Sequence, residues 1–155
     1  MKRFLPIIFT LLVTLLAATG CSRSTENIKE PEDTKDITTA LALIGPTWQL
    51  VKFQSSDGTE LISSDLERYT LSFSEDKRIS AKIDCNRGMS SWTSAEPTLI
   101  SFGPLAMTRA MCPPDPLQES LIRHWEFIRS FIIRDGHLYL AVKFDSGIYE
   151  FKPAP

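Results

Sequence analysis

The sequence predicts a mainly β domain: a small antiparallel β-barrel or strongly curved sheet with one α-helix, about residues 116–129, packed against it. Three observations carry that expectation. Apolar and polar residues alternate with a period of two from Thr47 onward, turn-forming clusters separate the alternating runs, and one segment after Asp115 switches to helical spacing. Many short strands and one helix suit a curled or closed sheet.

The first strand is expected where Trp48 and Leu50 alternate with Gln49 and Val51. Tyr69, Leu71 and Phe73 then alternate with Thr70, Ser72 and Ser74, and Ile79, Ala81 and Ile83 with Ser80, Lys82 and Asp84. Further strands are expected at residues 89–93, 98–102 and 131–134. Leu138, Leu140 and Val142 mark another, and residues 148–152 the last. One apolar face per strand is the pattern of an antiparallel sheet buried on one side. Ser56-Asp57-Gly58, Glu75-Asp76-Lys77, Asp135-Gly136 and Asp145-Ser146-Gly147 supply the turns. Asp115 is placed to cap the helix, with Pro116 at its first position and Gln118 three residues after the cap. Leu117, Leu121, Trp125 and Ile128 share one face, and Arg129 falls in the last turn. Side chains as bulky as Trp48, Tyr69 and Phe73 are large enough to fill a small barrel. A deep apolar pocket in their place would instead suit a carrier of a small apolar ligand.

Ahead of this domain, residues 1–20 read as an export signal. Lys2 and Arg3 precede an uncharged apolar stretch that is short for a bilayer span, which needs roughly 20 apolar residues. Leu16-Ala17-Ala18-Thr19-Gly20-Cys21 is similar to a bacterial lipobox, with Ala18 where Leu or Val is more usual. Cys21 is therefore the expected lipidation site, carrying acyl chains such as palmitate. Two or more chains anchor stably, at about 0.8 kcal/mol per buried CH₂. Residues 21–43 are expected to be the lipidated cysteine and a polar, disordered tether reaching roughly 25 Å on average. The soluble domain is expected over residues 44–155. Ser22, in place of an aspartate, favours the inner leaflet of the outer membrane, facing the periplasm.

Without Lys2 and Arg3 the chain holds 15 basic and 19 acidic residues, net −4. Such a balance gives no electrostatic footprint for nucleic acid. The sequence also holds no run of Lys or Arg that would grip anionic lipid. The expected membrane partner is reached through Cys21, and a monomer is expected.

Cys85 and Cys112 lie downstream of an export signal, and in an oxidising compartment cysteine pairs are normally bridged. A bond between them would close a loop worth roughly 3–4 kcal/mol. Free thiols and a metal pair are the alternatives, although two thiolates fall short of a zinc site. Met107 and Met111 raise soft-metal binding against a simpler role as core filler. No metal or cofactor is expected. The sequence lacks nucleophile elbow, zincin, phosphate-loop and dinucleotide motifs. Its two histidines, His124 in the helix and His137 at a turn, are expected at structural positions, and Asp84 with Glu96 is an acidic pair of unknown separation. A non-enzymatic protein is expected, with a periplasmic hydrolase the remote alternative.

Asp84-Cys85-Asn86-Arg87-Gly88, followed by Leu105-Ala106-Met107-Thr108-Arg109-Ala110-Met111-Cys112, strongly resembles the META domain family, that of the HslJ-like heat-shock lipoproteins. The family pattern opens on a strand like Trp48-Gln49-Leu50. A Cys-Asn pair, a Thr-x-x-x-Cys segment and a helix with an early acidic residue follow, here Glu119, and a hairpin like Leu138-Tyr139-Leu140 closes it. The likeness runs from about Ile44 to Lys152. Two departures stand out: Asp84 occupies a position that is usually glycine, and Met89-Ser90-Ser91-Trp92 keeps only the aromatic of a glycine–aromatic pair.

The resemblance implies a compact antiparallel barrel with one helix and no catalytic activity to carry over. It implies a role at the envelope, in integrity or stress tolerance, with an envelope protein as a possible partner. Asn86, Arg87, Thr108 and Arg109, gathered by a Cys85–Cys112 bond, form the candidate binding surface. The alternative role for Asn86 and Thr108 is to satisfy backbone groups in a turn.

Overall fold

The computed structural model describes residues 40–155. The expected signal segment, Cys21 and the tether up to residue 39 lie outside the described residues. Ten strands form one sheet: β1 (Thr47–Ser55), β2 (Glu60–Ile62), β3 (Tyr69–Phe73), β4 (Arg78–Ile83), β5 (Asn86–Glu96), β6 (Leu99–Phe102), β7 (Ala106–Met107), β8 (Ile128–Arg134), β9 (His137–Val142) and β10 (Gly147–Pro153). Helix α1 (Pro116–His124) lies between β7 and β8.

Eight strands close into an antiparallel barrel in the order β1, β3, β4, β5, β6, β8, β9, β10, with β10 returning to β1. The short β2 and β7 are added to β1 and β5. Period-two patterning explains the closure. Tyr69, Leu71 and Phe73 face inward opposite Ile83, Ala81 and Ile79, and Leu138 and Leu140 sit opposite Phe151 and Tyr149. Trp48, Phe53, Trp92, Trp125, Phe131 and Tyr149 join them, so aromatic side chains fill the barrel.

Four sequence expectations are corrected. In β1 a bulge between Leu50 and Lys52 shifts the alternation by one, so Phe53 turns inward after Trp48 and Leu50. Packing begins at Leu43, ahead of the expected boundary at residue 44. Leu43 is fully buried, and its carbonyl accepts the Trp48 indole N–H at 2.9 Å. The helix stops at His124, not near residue 129. The chain tightens into a 3₁₀ turn at Trp125–Phe127, and Ile128 turns extended (φ −62°, ψ 128°) to start β8. Ile128 is buried as expected, but it points inward from a strand, and Arg129 lies on that strand's outer face. Finally, Met107 packs against the core edge while Met111 is wholly exposed, so the two methionines do not both serve as core filler.

The seam between β6 and β8 is the thinnest. Leu99 pairs with Ser130, and the Phe131 N–H donates to the Thr98 carbonyl at 2.8 Å. Trp125, just past the end of α1, covers this seam, donating its indole N–H to the Gly103 carbonyl at 3.1 Å and packing with its ring tilted against Phe102, centroids 4.9 Å apart. The helix thus plugs the barrel where the ladder is weakest.

Candidate functional site

The corner where β4 meets β5 gathers most of the residues singled out in the sequence. Cys85 and Cys112 are joined by a disulfide, with Cα atoms 5.8 Å apart. The bond fastens the strap of residues 103–115 to the start of β5. Gly88 lets the strap lie close, since a Cβ there would stand 2.8 Å from Leu105 Cδ1 and 3.3 Å from the Ala106 carbonyl oxygen.

Asn86 is 3% exposed, and its amide is spent within this corner. Its Oδ1 accepts from the Thr108 hydroxyl at 2.9 Å and the Ala110 N–H at 2.8 Å. Its Nδ2 donates to the Ala110 carbonyl at 3.2 Å and to the Cys112 sulfur at 3.1 Å. The Thr108 hydroxyl also accepts the Arg87 N–H at 3.1 Å, and the Thr108 N–H donates to the Arg87 carbonyl at 3.0 Å. The four residues of the expected binding surface are therefore brought together in two different roles. Asn86 is turned inward and holds the strap, so it is removed from the contact surface. Thr108 is exposed but bonded to Asn86 and the backbone, and Arg87 and Arg109 extend into solvent.

Behind this corner lies a charged group that sequence reasoning missed. Asp84 is buried, with φ +58°, a backbone region that favours glycine. Its Oδ1 accepts the Arg68 Nε–H at 2.7 Å, while Oδ2 has no hydrogen-bond partner among the described residues. Arg68 also reaches Asp115 Oδ2 at 3.6 Å, and that oxygen accepts the Tyr69 hydroxyl at 2.6 Å. Asp115 Oδ1 caps α1 by accepting the Leu117 N–H at 2.9 Å. Burial acts to raise the Asp115 carboxyl, but the bonds from Tyr69 and Leu117 and the nearby Arg68 outweigh it and hold the group below its ordinary range. Burial, with Asp115 beside it, pushes the Tyr69 phenol well above its ordinary range. The signal available in the sequence was the aspartate standing where the similar family has glycine.

Asp84, Cys85 and Cys112 offer a carboxylate oxygen and two sulfurs within 4.8 Å of one another. The sulfurs are bonded to each other, so the set presents no thiolate to a metal. Asp84, two residues before β5, and Glu96, the last residue of that long strand, stand at its opposite ends and do not meet.

The histidines are held within the fold. His124 Nδ1 lies 2.8 Å from the Tyr149 hydroxyl, which donates to Ser120 Oγ at 3.3 Å. Tyr149 and Ser120 are buried, and His124 packs 5.3 Å from the Phe53 ring. Burial chiefly, then the neighbouring Arg123, lowers the His124 pKa from its ordinary 6.5. His137 Nδ1 is 2.8 Å from Glu150 Oε1 across the β9–β10 pair. Next to the strap, between it and α1, runs an open groove of about 660 Å³ with Leu105, Ile122 and Trp125 in its walls and Arg109 and Arg123 at its sides.

A family model described as META domain matches residues 40–145. Among solved structures, the chain is similar to an NMR structure of a protein from Burkholderia xenovorans. That likeness has 21% identity and a TM-score of 0.61, covering 75% of this chain and 88% of that one. A duf4847 family protein from Bacteroides vulgatus is similar at 11% identity and a TM-score of 0.51, over 71% of this chain and 93% of that one. A third protein, also solved by NMR, shares 23% identity at a TM-score of 0.52, over 71% and 90%. At these identities the likeness is one of fold. Comparison with curated proteins finds no match.

Proposed function

The chain belongs to the META domain family, and on that footing we propose that it is a non-enzymatic lipoprotein of the bacterial envelope that supports envelope integrity or stress tolerance. The observation that carries the reading is the Cys85–Cys112 bond, because such a bond persists in compartments that oxidise thiols. It agrees with an export signal over residues 1–20, a lipid anchor at Cys21, and a domain facing the periplasm from the outer membrane. The filled barrel supports contact through outer surfaces over carriage of an apolar ligand within. His124 supports the non-enzymatic reading, since its bonded partner Tyr149 is sealed inside the core.

The test is intact-mass analysis of the chain isolated from the membrane fraction, beside Cys21→Ser. Acyl mass on the wild type and its loss in the variant are expected. A gene deletion should lower survival under heat or envelope-active compounds, with rescue by wild type and not by Cys21→Ser. Unmodified Cys21, or full rescue by the variant, would remove the anchor from the reading.

A further inference from the structure

Arg109, Arg123, Arg129 and Lys143 are scattered in the sequence, and the fold sets them along one strip. Arg109 and Arg123 flank the groove between the strap and α1. A neighbouring hollow of about 210 Å³ shares Arg123 and Phe127 with that groove and adds Lys143 and Phe144. A third, of about 410 Å³, shares Lys143 and Phe144 and reaches Arg129. Among the described residues none of these four cations has an ion-pair partner. Glu126 and Asp145 are the acidic residues along the strip.

Between the cations stand exposed apolar side chains: Ile122, Phe127 and, at the tip of the β9–β10 turn, Phe144. Phe144 is 87% exposed and has φ 59°, ψ 32°, a left-handed conformation that disfavours an aromatic residue. Asp145 follows at φ 50°. Neither core packing nor local backbone preference therefore accounts for a phenylalanine here. A strained residue whose ring projects into water is a sign of function.

We propose that this strip docks on an anionic lipid bilayer, with Phe144 and Phe127 entering the interfacial layer and the four cations meeting lipid phosphates. Charge complementarity selects the occupant. The chain as a whole is acidic, net −2, yet this strip gathers four cations without an ion-pair partner among the described residues around projecting rings, the pattern of an interfacial surface. An anchor at Cys21, as in the reading above, would keep a bilayer within reach, but the strip's chemistry acts independently of it. Docking would fix the domain's orientation and cover the groove beside α1.

The probe is the full chain carrying Phe144→Trp, purified from membranes and mixed with phosphatidylglycerol/phosphatidylethanolamine or phosphatidylcholine vesicles containing brominated lipid. The introduced indole should shift to the blue and be quenched in the anionic vesicles only. Each cation contributes roughly fivefold to partitioning, so adding Arg123→Glu and Lys143→Glu should lower the contact at least about twenty-five-fold. The replaced groups lie outside the core, and an unchanged near-ultraviolet circular dichroism spectrum verifies folding. Intact mass of the same sample reads the anchor separately. An acylated chain that floats with anionic vesicles while its indole stays unquenched overturns the strip and spares the anchor; an acidic protein would then be the better occupant. A chain without acyl groups should still float with anionic vesicles and lose this on double charge reversal. If it does not, the strip is overturned as well.

Discussion

The hydroxyl of Thr108 donates to the amide oxygen of Asn86 at 2.9 Å across 22 residues of chain, and this contact ties down the strap alongside the Cys85–Cys112 disulfide. Asn86 is the first residue of β5, and Thr108 is tied to Arg87 twice, its N–H donating to the Arg87 carbonyl and its hydroxyl accepting the Arg87 N–H. Asn86→Ala would leave the Ala110 carbonyl and N–H without their partner in a half-buried corner. A loss of about 3 kcal/mol is expected, measured by denaturant unfolding, because unpaired polar groups cost about 1–3 kcal/mol each. Arg87→Ala, whose side chain is exposed, should stay within about 0.5 kcal/mol of wild type.

Removing the bridge with Cys85→Ser and Cys112→Ser should cost about 3 kcal/mol, as expected for a closed loop of this length. Alkylation without prior reduction, followed by intact-mass analysis, should modify neither cysteine of the wild type. Modification of both would show that the bond is absent in solution.

Arg68→Ala would strand the buried Asp84 carboxylate and should destabilise the fold by about 3 kcal/mol. Asp84→Gly removes that carboxylate and relieves the left-handed backbone at φ +58°. The double variant should therefore recover most of the loss, a coupling of about 2 kcal/mol in a double-mutant cycle. Simple additivity would show that the pair is not what holds Asp84.

His124 gives the fold a pH dependence of definite sign. Its folded pKa lies below the ordinary 6.5, so the unfolded chain binds more protons as acidity rises. The contribution to stability is complete above about pH 6.5 and is lost as pH falls through the lower folded value. Urea midpoints measured from pH 7.5 downward should decline in this window, and His124→Gln should flatten that part of the decline.

Phe144→Gly should raise the thermal midpoint, since an aromatic residue in the left-handed region costs about 1–2 kcal/mol and little packing is lost with so exposed a ring. The same variant should bind anionic vesicles more weakly. Gain of stability with loss of binding is the behaviour of a residue kept for contact rather than for folding.

The strands were legible because burial on one face leaves a period-two trace that needs no knowledge of partners, as in Tyr69-Leu71-Phe73 and Leu138-Leu140-Val142. The helix end was less legible. Trp125 and Ile128 continue the three-and-four spacing, yet β-branched residues downstream and pairing with β9 draw Ile128 into a strand. The phase shift in β1 depends on a bulge, and a bulge is decided by two neighbouring strands at once. At the site, the two cysteines and the Cys-Asn pair could be picked out by motif. Which way Asn86 faces could not, because an amide is polar enough for either side and only the bonds to Ala110 and Thr108 decide. The strip from Arg109 to Lys143 was invisible for a related reason: its members come from the strap, α1, β8 and the last turn, and only closure of the barrel makes them neighbours.

Ring closure between the first and last strands has a consequence for assembly. Trp48 stands opposite Pro153, and β1 is gripped by β3 on one flank and β10 on the other. Neither terminal strand is left as a long open edge whose N–H and C=O groups could template pairing with a second copy of the sheet.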